Sequence, residues 1–215
     1  MIVLSGVGAD TTNVSPVPRV YDDGGFDYIP IPEKARDTTT ETRTYADVPT
    51  REGTAAEYLK EVYPGGGDET IDGEDLATFP LHYDPNFDAL TYGECRPAYV
   101  ERLRRLEEGD AVVFYTGLRS GDDEGLHRYA FGYLVVEETV YFEKINRKEA
   151  EVRLREHPEN AHAKRFEATG ELDGNLVIVD GNDGGLFGEA FRISRRTQSG
   201  HYYLCDELQD RFDPE

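Results

Sequence analysis

Two apolar runs fix the centre of this 215-residue chain. The stretches EEGDAVVFYTGLR at 107–119 and HRYAFGYLVVEETVYF at 127–142 are rich in β-branched and aromatic residues, and an acidic, glycine-bearing segment separates them. This pattern predicts two strands around a turn, since such residues suit a pleated, half-buried surface and glycine suits the reversal. Tyr115, Thr116, Gly117 and Arg119 fall at the mouth of the first strand, and His127, Arg128 and Tyr129 open the second. Aromatic and cationic side chains are thus expected to converge where a planar ligand could lie. The layout is that of a binding site, and it names no reaction.

Charge narrows the setting. Lys plus Arg is 23 and Asp plus Glu is 44, a formal net charge of −21, and Lys34, Lys60, Lys144, Lys148 and Lys164 are the only lysines. The acids are dispersed rather than gathered in a tail. Dispersed carboxylate with scarce lysine predicts a proteome adapted to molar salt, where a Debye length of roughly 3 Å at 1 M screens the mutual repulsion. Hydrophobic content of 38% with 14 Tyr and 10 Phe is enough to build a core. The opening MIVLSGVGAD has no basic segment and only a short apolar run, so neither a signal peptide nor a membrane span is expected and the predicted location is cytoplasmic. Cys95 and Cys205 form no CxxC pair and are expected to be buried free thiols.

The rest of the chain reads as irregularly alternating elements. Residues 2–4 predict a buried strand, 6–19 an ordered loop or pocket rim, and 26–29 a short strand. Thr54, with Glu57 three residues on, predicts a helix over 54–63, and Pro97 opens another that Gly109 should cap. Asn146 predicts the start of a third, ending before Pro158. Residues 65–78 read as a flexible acidic insertion, 175–179 as a buried strand, 180–185 as a turn, and 202–208 as either strand or helical turn. No βαβ period and no glycine fingerprint opening a helix occurs, which disfavours a doubly wound dinucleotide fold. The expected fold is one α+β domain over 1–215, with a mostly antiparallel, curved sheet or partial barrel and helices packed outside.

Candidate site residues follow from spacing. His82 and Asp84 lie two apart, so in an extended segment both point to one face, where imidazole and carboxylate can share a metal or act as an acid and base; Glu94 is close in sequence. The bland reading is that Asp84-Pro85 starts a turn and His82 is hydrogen-bonded at the surface. Asp10 follows a Gly-x-Gly in a loop whose amides could cradle an anion. Tyr115, Arg119 and Tyr129 are the stacking and pairing candidates, against the alternative that Tyr129 and Tyr133 fill a core. His157 is expected at a helix end and His162 in a solvated loop, with no cysteine near to complete a zinc set. No G-x-S-x-G elbow and no Walker-type phosphate loop is present.

A helix, then Glu-Gly-Asp, a strand ending in Tyr, and a second strand with an aromatic-Gly-aromatic step resembles PUA-like domains of the ASCH and EVE branches. That resemblance implies a curved barrel with a pocket for a base, often a modified one. The opening LSGVGADTTNVSPVP at 4–18, followed in order by YIPIPE, TYADVP, HYDPNF, VVFYTGLR, FGYLVV, REHPENAH and GGLFGEAF, is similar to the nucleotide modification associated domain 3 family. Its genes lie beside DNA base-modification and restriction genes, which implies a nucleotide or nucleic acid, modified DNA included, as partner, together with other proteins of such a system. The expectation is a nucleotide or modified-base recognition protein in DNA modification or defence. The alternatives are an enzyme using His82, Asp84 and Glu94 on a nucleotide or base, and a structural subunit without a ligand; no cofactor is specified.

Overall fold

The computed structural model describes residues 1–66, 69–121, 125–196, 202–206 and 208. Its main sheet has six strands: β1 (Ile2–Gly6), β2 (Arg19–Val20), β3 (Thr91–Glu94), β4 (Ala111–Ser120), β5 (Leu126–Tyr141) and β6 (Val177–Arg192). The order is β1-β4-β5-β6-β3, with β2 also pairing β4. The ladders β4-β5, β5-β6 and β6-β3 are antiparallel, whereas β1 and β2 both run parallel to β4. The sheet is therefore mixed, and among the described residues no ladder closes it into a barrel.

The predicted strand pair is present as β4 and β5, with Leu118 opposite His127 and Val112 opposite Leu134. Alternation in β4 buries Val112, Phe114, Thr116 and Leu118, and the intervening side chains turn the other way. Residues 122–124 of the expected turn lie outside the described residues. The expected turn at 180–185 is instead continuous strand, since Gly184 pairs with Leu134 and Gly185 with Tyr133 across shifted registers. Gly181 explains why turn-like residues fit there. A Cβ at this position would lie 2.4 Å from Leu134 Cδ1 and 2.8 Å from the Val135 carbonyl, so only a bare backbone can lie this close to β5.

Five α-helices are described: α1 (Ala55–Tyr58), α2 (Gly73–Ala77), α3 (Pro97–Leu103), α4 (Arg147–Glu156) and α5 (Ala161–Thr169). The Thr54–Glu57 capping box forms, but α1 is a single turn. The chain then extends, and Glu61–Val62 pairs with both Val14–Ser15 and Ile71–Asp72. Part of the 65–78 segment is thus ordered, with Leu76 of α2 buried in the adjoining core; residues 67 and 68 lie outside the described ones. Helix α3 ends at Leu103, and Gly109 takes its positive φ in a later turn, where its N–H donates to the Val136 carbonyl. Helix α4 starts at the Asn146 cap as expected. Phe26 makes only an isolated bridge to Val20, so the 26–29 strand does not form. Tyr202–Leu204 pairs with Ser194–Arg196 as strand.

Apolar residues gather into three main clusters. One lies between the sheet and α3, including Phe114, Phe131, Leu134 and Val100; a second joins Ile29, Tyr45, Val62 and Leu81; a third packs α4 and α5 on Val140 and Ile178. Helices α3, α4 and α5 thus pack on the sheet rather than within it. Among the described residues no helix is long and apolar enough to cross a membrane. Both cysteines are free and partly exposed rather than buried.

Candidate functional site

The site begins at the edge of β4. Strand β1 follows β4 as far as Tyr115, where Val7 N–H donates to the Tyr115 carbonyl at 2.9 Å, and β2 resumes the same edge at Arg119. Between them the chain bulges outward, carrying Gly8 and Asp10. A cleft of about 790 Å³ opens beneath this bulge. Its lining draws on segments far apart in sequence, among them Asp10, His82, Asp84, Glu94, Tyr115 and His162.

One wall alternates cation and ring. The Arg96 guanidinium lies 4.4 Å from the Tyr99 ring centre, the Tyr99 and Tyr115 hydroxyls are 3.0 Å apart, and Arg128 lies 5.7 Å from the Tyr115 ring. Burial, followed by the Tyr99 hydrogen bond, pushes the Tyr115 phenol up to about 12, so the ring stays neutral. Glu94 holds this wall in place. It accepts from Arg96 Nη2 at 2.6 Å, from the Arg96 backbone N–H at 2.8 Å and from Tyr92 Oη at 2.8 Å. Burial works to raise the Glu94 carboxyl, but Arg96 outweighs it and keeps the group below its ordinary value. With both oxygens engaged, Glu94 is better suited to positioning Arg96 than to taking a proton.

The floor is buried and built from two histidines and an aspartate. His82, Asp84 and His162 are 8%, 5% and 5% exposed, and one ligand-competent atom of each lies within 4.8 Å of the others. Asp84 accepts the Gly93 N–H at 3.0 and 3.1 Å, yet burial pushes its carboxyl well above the ordinary range. Its Oδ2 lies 3.6 Å from His162 Nε2 and 3.9 Å from His82 Nε2. Gly93 permits this closeness, because a Cβ there would stand 2.3 Å from His162 Cδ2.

Behind the histidines sits a charged layer. His82 Nδ1 lies 3.1 Å from Glu33 Oε2, and His162 Nδ1 lies 2.7 Å from Asp173 Oδ2. Arg165 bridges the two carboxylates, at 2.6 Å from Glu33 and 2.7 Å from Asp173. Burial favours the neutral form of Glu33, but the His82 hydrogen bond and the neighbouring charges prevail and hold it at about 2. Asp173 is held well below the ordinary range, since His162 and Arg165 overcome its burial. Burial, in turn, depresses the His82 imidazole.

The family model for nucleotide modification associated domain 3 matches residues 1–214. The chain belongs to the nucleotide modification associated domain 3 family. No curated protein and no solved structure matches it. The family ties the chain to nucleotide modification systems.

For this family member, the cleft brings together five of the seven residues singled out in the sequence: Asp10, His82, Asp84, Glu94 and Tyr115. Arg119 and Tyr129 lie elsewhere. Arg119 is exposed beside β2, where its N–H donates to the Pro18 carbonyl. Tyr129 is 6% exposed and packs with Val20 and Leu118, the core role weighed for it. Their neighbours His127 and Arg128 line the cleft instead. His82 is buried, not at the surface. The expected solvated loop at His162 is the first turn of α5, and His157 is also buried, 2.8 Å from Asp180. The missed signal was Asn160, whose side chain accepts the His162 N–H at 3.0 Å and so starts a helix that sets His162 and Arg165 three residues apart on one face.

Asn160 is fully buried and also donates to Thr91 Oγ1 at 3.1 Å, tying α5 to β3. Asn160→Ala is expected to cost about 1–2 kcal/mol, the upper range for a helix cap. A urea midpoint unchanged from wild type would contradict this.

A second hollow of about 770 Å³ lies beside His157, where Glu137, Glu138, Glu156, Glu159 and Asp180 outnumber Arg153, itself paired with Glu138 and Glu156. Its carboxylates suit neither an anionic nor a stacking ligand. The first cleft differs, with Lys34, Arg96, Arg128 and Arg165 against Asp10, Asp84 and Glu94. In a chain of net charge −21, that local balance is unusual.

Proposed function

We propose that the cleft binds a nucleotide or base, in or out of DNA, and that the protein acts on it within a DNA modification or defence system. The observation that carries this reading is the joining of a stacking wall, Arg96-Tyr99-Tyr115-Arg128, to a buried His82-Asp84-His162 floor in one opening. The wall offers a ring for a base and guanidinium groups for phosphate or base edges. Recognition alone would need only the wall. A floor of desolvated imidazole and carboxylate groups is what acid–base or metal-assisted chemistry uses, and this favours the enzyme over a reader. Stacking also keeps its strength in molar salt, where phosphate attraction fades.

The test is a calorimetric binding screen in molar KCl, using nucleotides and short DNAs with and without modified bases. Tyr115→Ala is expected to weaken binding roughly 5- to 150-fold, matching the loss of about 1–3 kcal/mol of stacking. Arg119→Ala should bind like wild type, because Arg119 stands outside the cleft. Equal affinity of the wild type and Tyr115→Ala, or no binding by either, would overturn the proposal.

A further inference from the structure

We propose that His82, Asp84 and His162 form a binding site for one divalent first-row transition-metal ion at the floor of the cleft. The inference deepens the proposed function, by giving the floor a Lewis acid, but it stands on separate observations.

The first is the direction of the imidazoles. Both histidines turn Nδ1 toward a carboxylate, Glu33 for His82 and Asp173 for His162, and both bring Nε2 near the same oxygen of Asp84. Arg165 Nη2 also lies 3.1 Å from His82 Nδ1, but its shorter bond, 2.6 Å, goes to Glu33. The Glu33 carboxyl group, held by Arg165 and facing Nδ1 as an acceptor, makes that nitrogen the donor. With Nδ1 directed at a carboxyl group, each imidazole has its Nε2 aimed at the centre. A carboxylate behind the non-ligating nitrogen is the usual support of a metal-binding histidine, since it fixes the tautomer and the ring orientation.

The second is spacing. The Nε2 to Oδ2 separations of 3.6 and 3.9 Å are too long for hydrogen bonds. They are close to the edge of a coordination tetrahedron, roughly 3.4 Å for ligands about 2.1 Å from the ion. Lone pairs of two imidazoles and a carboxyl group converging in a buried place repel one another unless a proton or a cation sits among them, and separations this long leave room for a cation rather than a shared proton.

The third is charge and access. Arg165 neutralises part of the layer formed by Glu33 and Asp173, and a divalent ion would compensate Asp84 and the remainder. All three ligands also line the cleft, so the ion would keep positions open toward whatever enters from the Tyr115 side. Two imidazoles and one carboxylate with open positions suit iron, manganese, cobalt, nickel or zinc in the divalent state rather than calcium or magnesium.

The experiment strips the full-length protein with chelator and titrates Zn²⁺, Mn²⁺, Co²⁺ and, anaerobically, Fe²⁺. Molar KCl with excess Mg²⁺ suppresses binding to surface carboxylates. Wild type is expected to take up one ion per chain with a rise in melting temperature. His162→Ala and Asp84→Asn should lose that uptake, whereas Asp10→Ala, elsewhere in the cleft, should keep it. Asp173→Asn should bind about 10- to 100-fold more weakly with its fold intact, as expected when the group orienting a ligand is removed. Wild-type uptake well below one ion per chain overturns the site, and so does wild-type affinity in His162→Ala. If the ligand variants fail to fold, Cu²⁺ electron paramagnetic resonance on wild type decides, with nitrogen couplings expected and their absence contradicting the site. Metal uptake without nucleotide binding would remove the proposed ligand and keep the metal centre. Nucleotide binding that ignores chelation, with no metal uptake, would do the reverse.

Discussion

Arg165→Met is expected to destabilise the fold by about 3–5 kcal/mol, the loss typical of stranding a buried charge by removing its partner. Arg165 is 8% exposed, and it reaches Glu33, which is fully buried, and Asp173, whose side chain is 16% exposed. Met fills most of the space but offers no donor. Among the described residues, Glu33 would then keep His82 and the Lys34 backbone N–H as partners in a place that cannot solvate a carboxylate. Equilibrium denaturation in urea measures the cost, and a second substitution identifies its source. Adding Glu33→Gln to Arg165→Met should recover part of the loss, because the stranded charge is gone, and the two changes should be clearly non-additive. A loss below about 1 kcal/mol for Arg165→Met would mean that the charged layer is solvated, as in surface ion pairs.

Phe131→Ala is expected to cost a comparable 3–5 kcal/mol through the cavity it leaves. Phe131 has no exposed surface and sits among four aromatic rings, stacked 4.6 Å from Tyr28 and tilted or edge-on toward Phe26, Phe87 and Phe114. The effect should reach the cleft. Tyr28 packs beneath Gly8 in the bulged loop and donates its hydroxyl to the Asp84 carbonyl at 3.4 Å, so loosening Tyr28 loosens both the rim and the floor. Phe131→Leu, which leaves a smaller void, should lose less stability and keep more ligand binding. A Phe131→Ala loss under about 1.5 kcal/mol, measured the same way, would show that the cluster collapses to fill the space.

What the chain disclosed in advance was local. The Asn146 cap and the Thr54–Glu57 box depend on residues three apart, and both form. The strands β4 and β5 carry their own apolar pattern. The His82 and Asp84 pair depends on a spacing of two, and both side chains do reach one floor. Structure departs from local pattern where a distant neighbour decides the outcome. Residues 180–185 read as a turn, yet β5 accepts them as strand because glycine lets the two backbones come close. The helix expected over 54–63 stops after one turn, since Glu61–Val62 finds two strand partners from elsewhere. His162 lies on the floor rather than in solvent because Asp84, 78 positions away in sequence, faces it. Arg119 and Tyr129 carry side chains of the right type, but β2 and the Val20-Leu118 packing place them outside the cleft.

The distance in sequence between the floor's parts also orders the life of the molecule. Arg165 and Glu33 are separated by 132 positions, and the histidines they support are 80 apart. Contacts of such span carry a high loop-closure cost and tend to slow folding. The strand pair β4-β5 can therefore form early from local contacts, while the floor waits for segments as far apart as Glu33 and Arg165 to meet. During synthesis, the stretch bearing His82 and Asp84 leaves the ribosome before His162 exists, so the floor cannot assemble until most of the chain has been made. Occupancy of the cleft would then report completed folding, and a nick between 84 and 162 that lets the halves part would silence the site even with every one of its residues present.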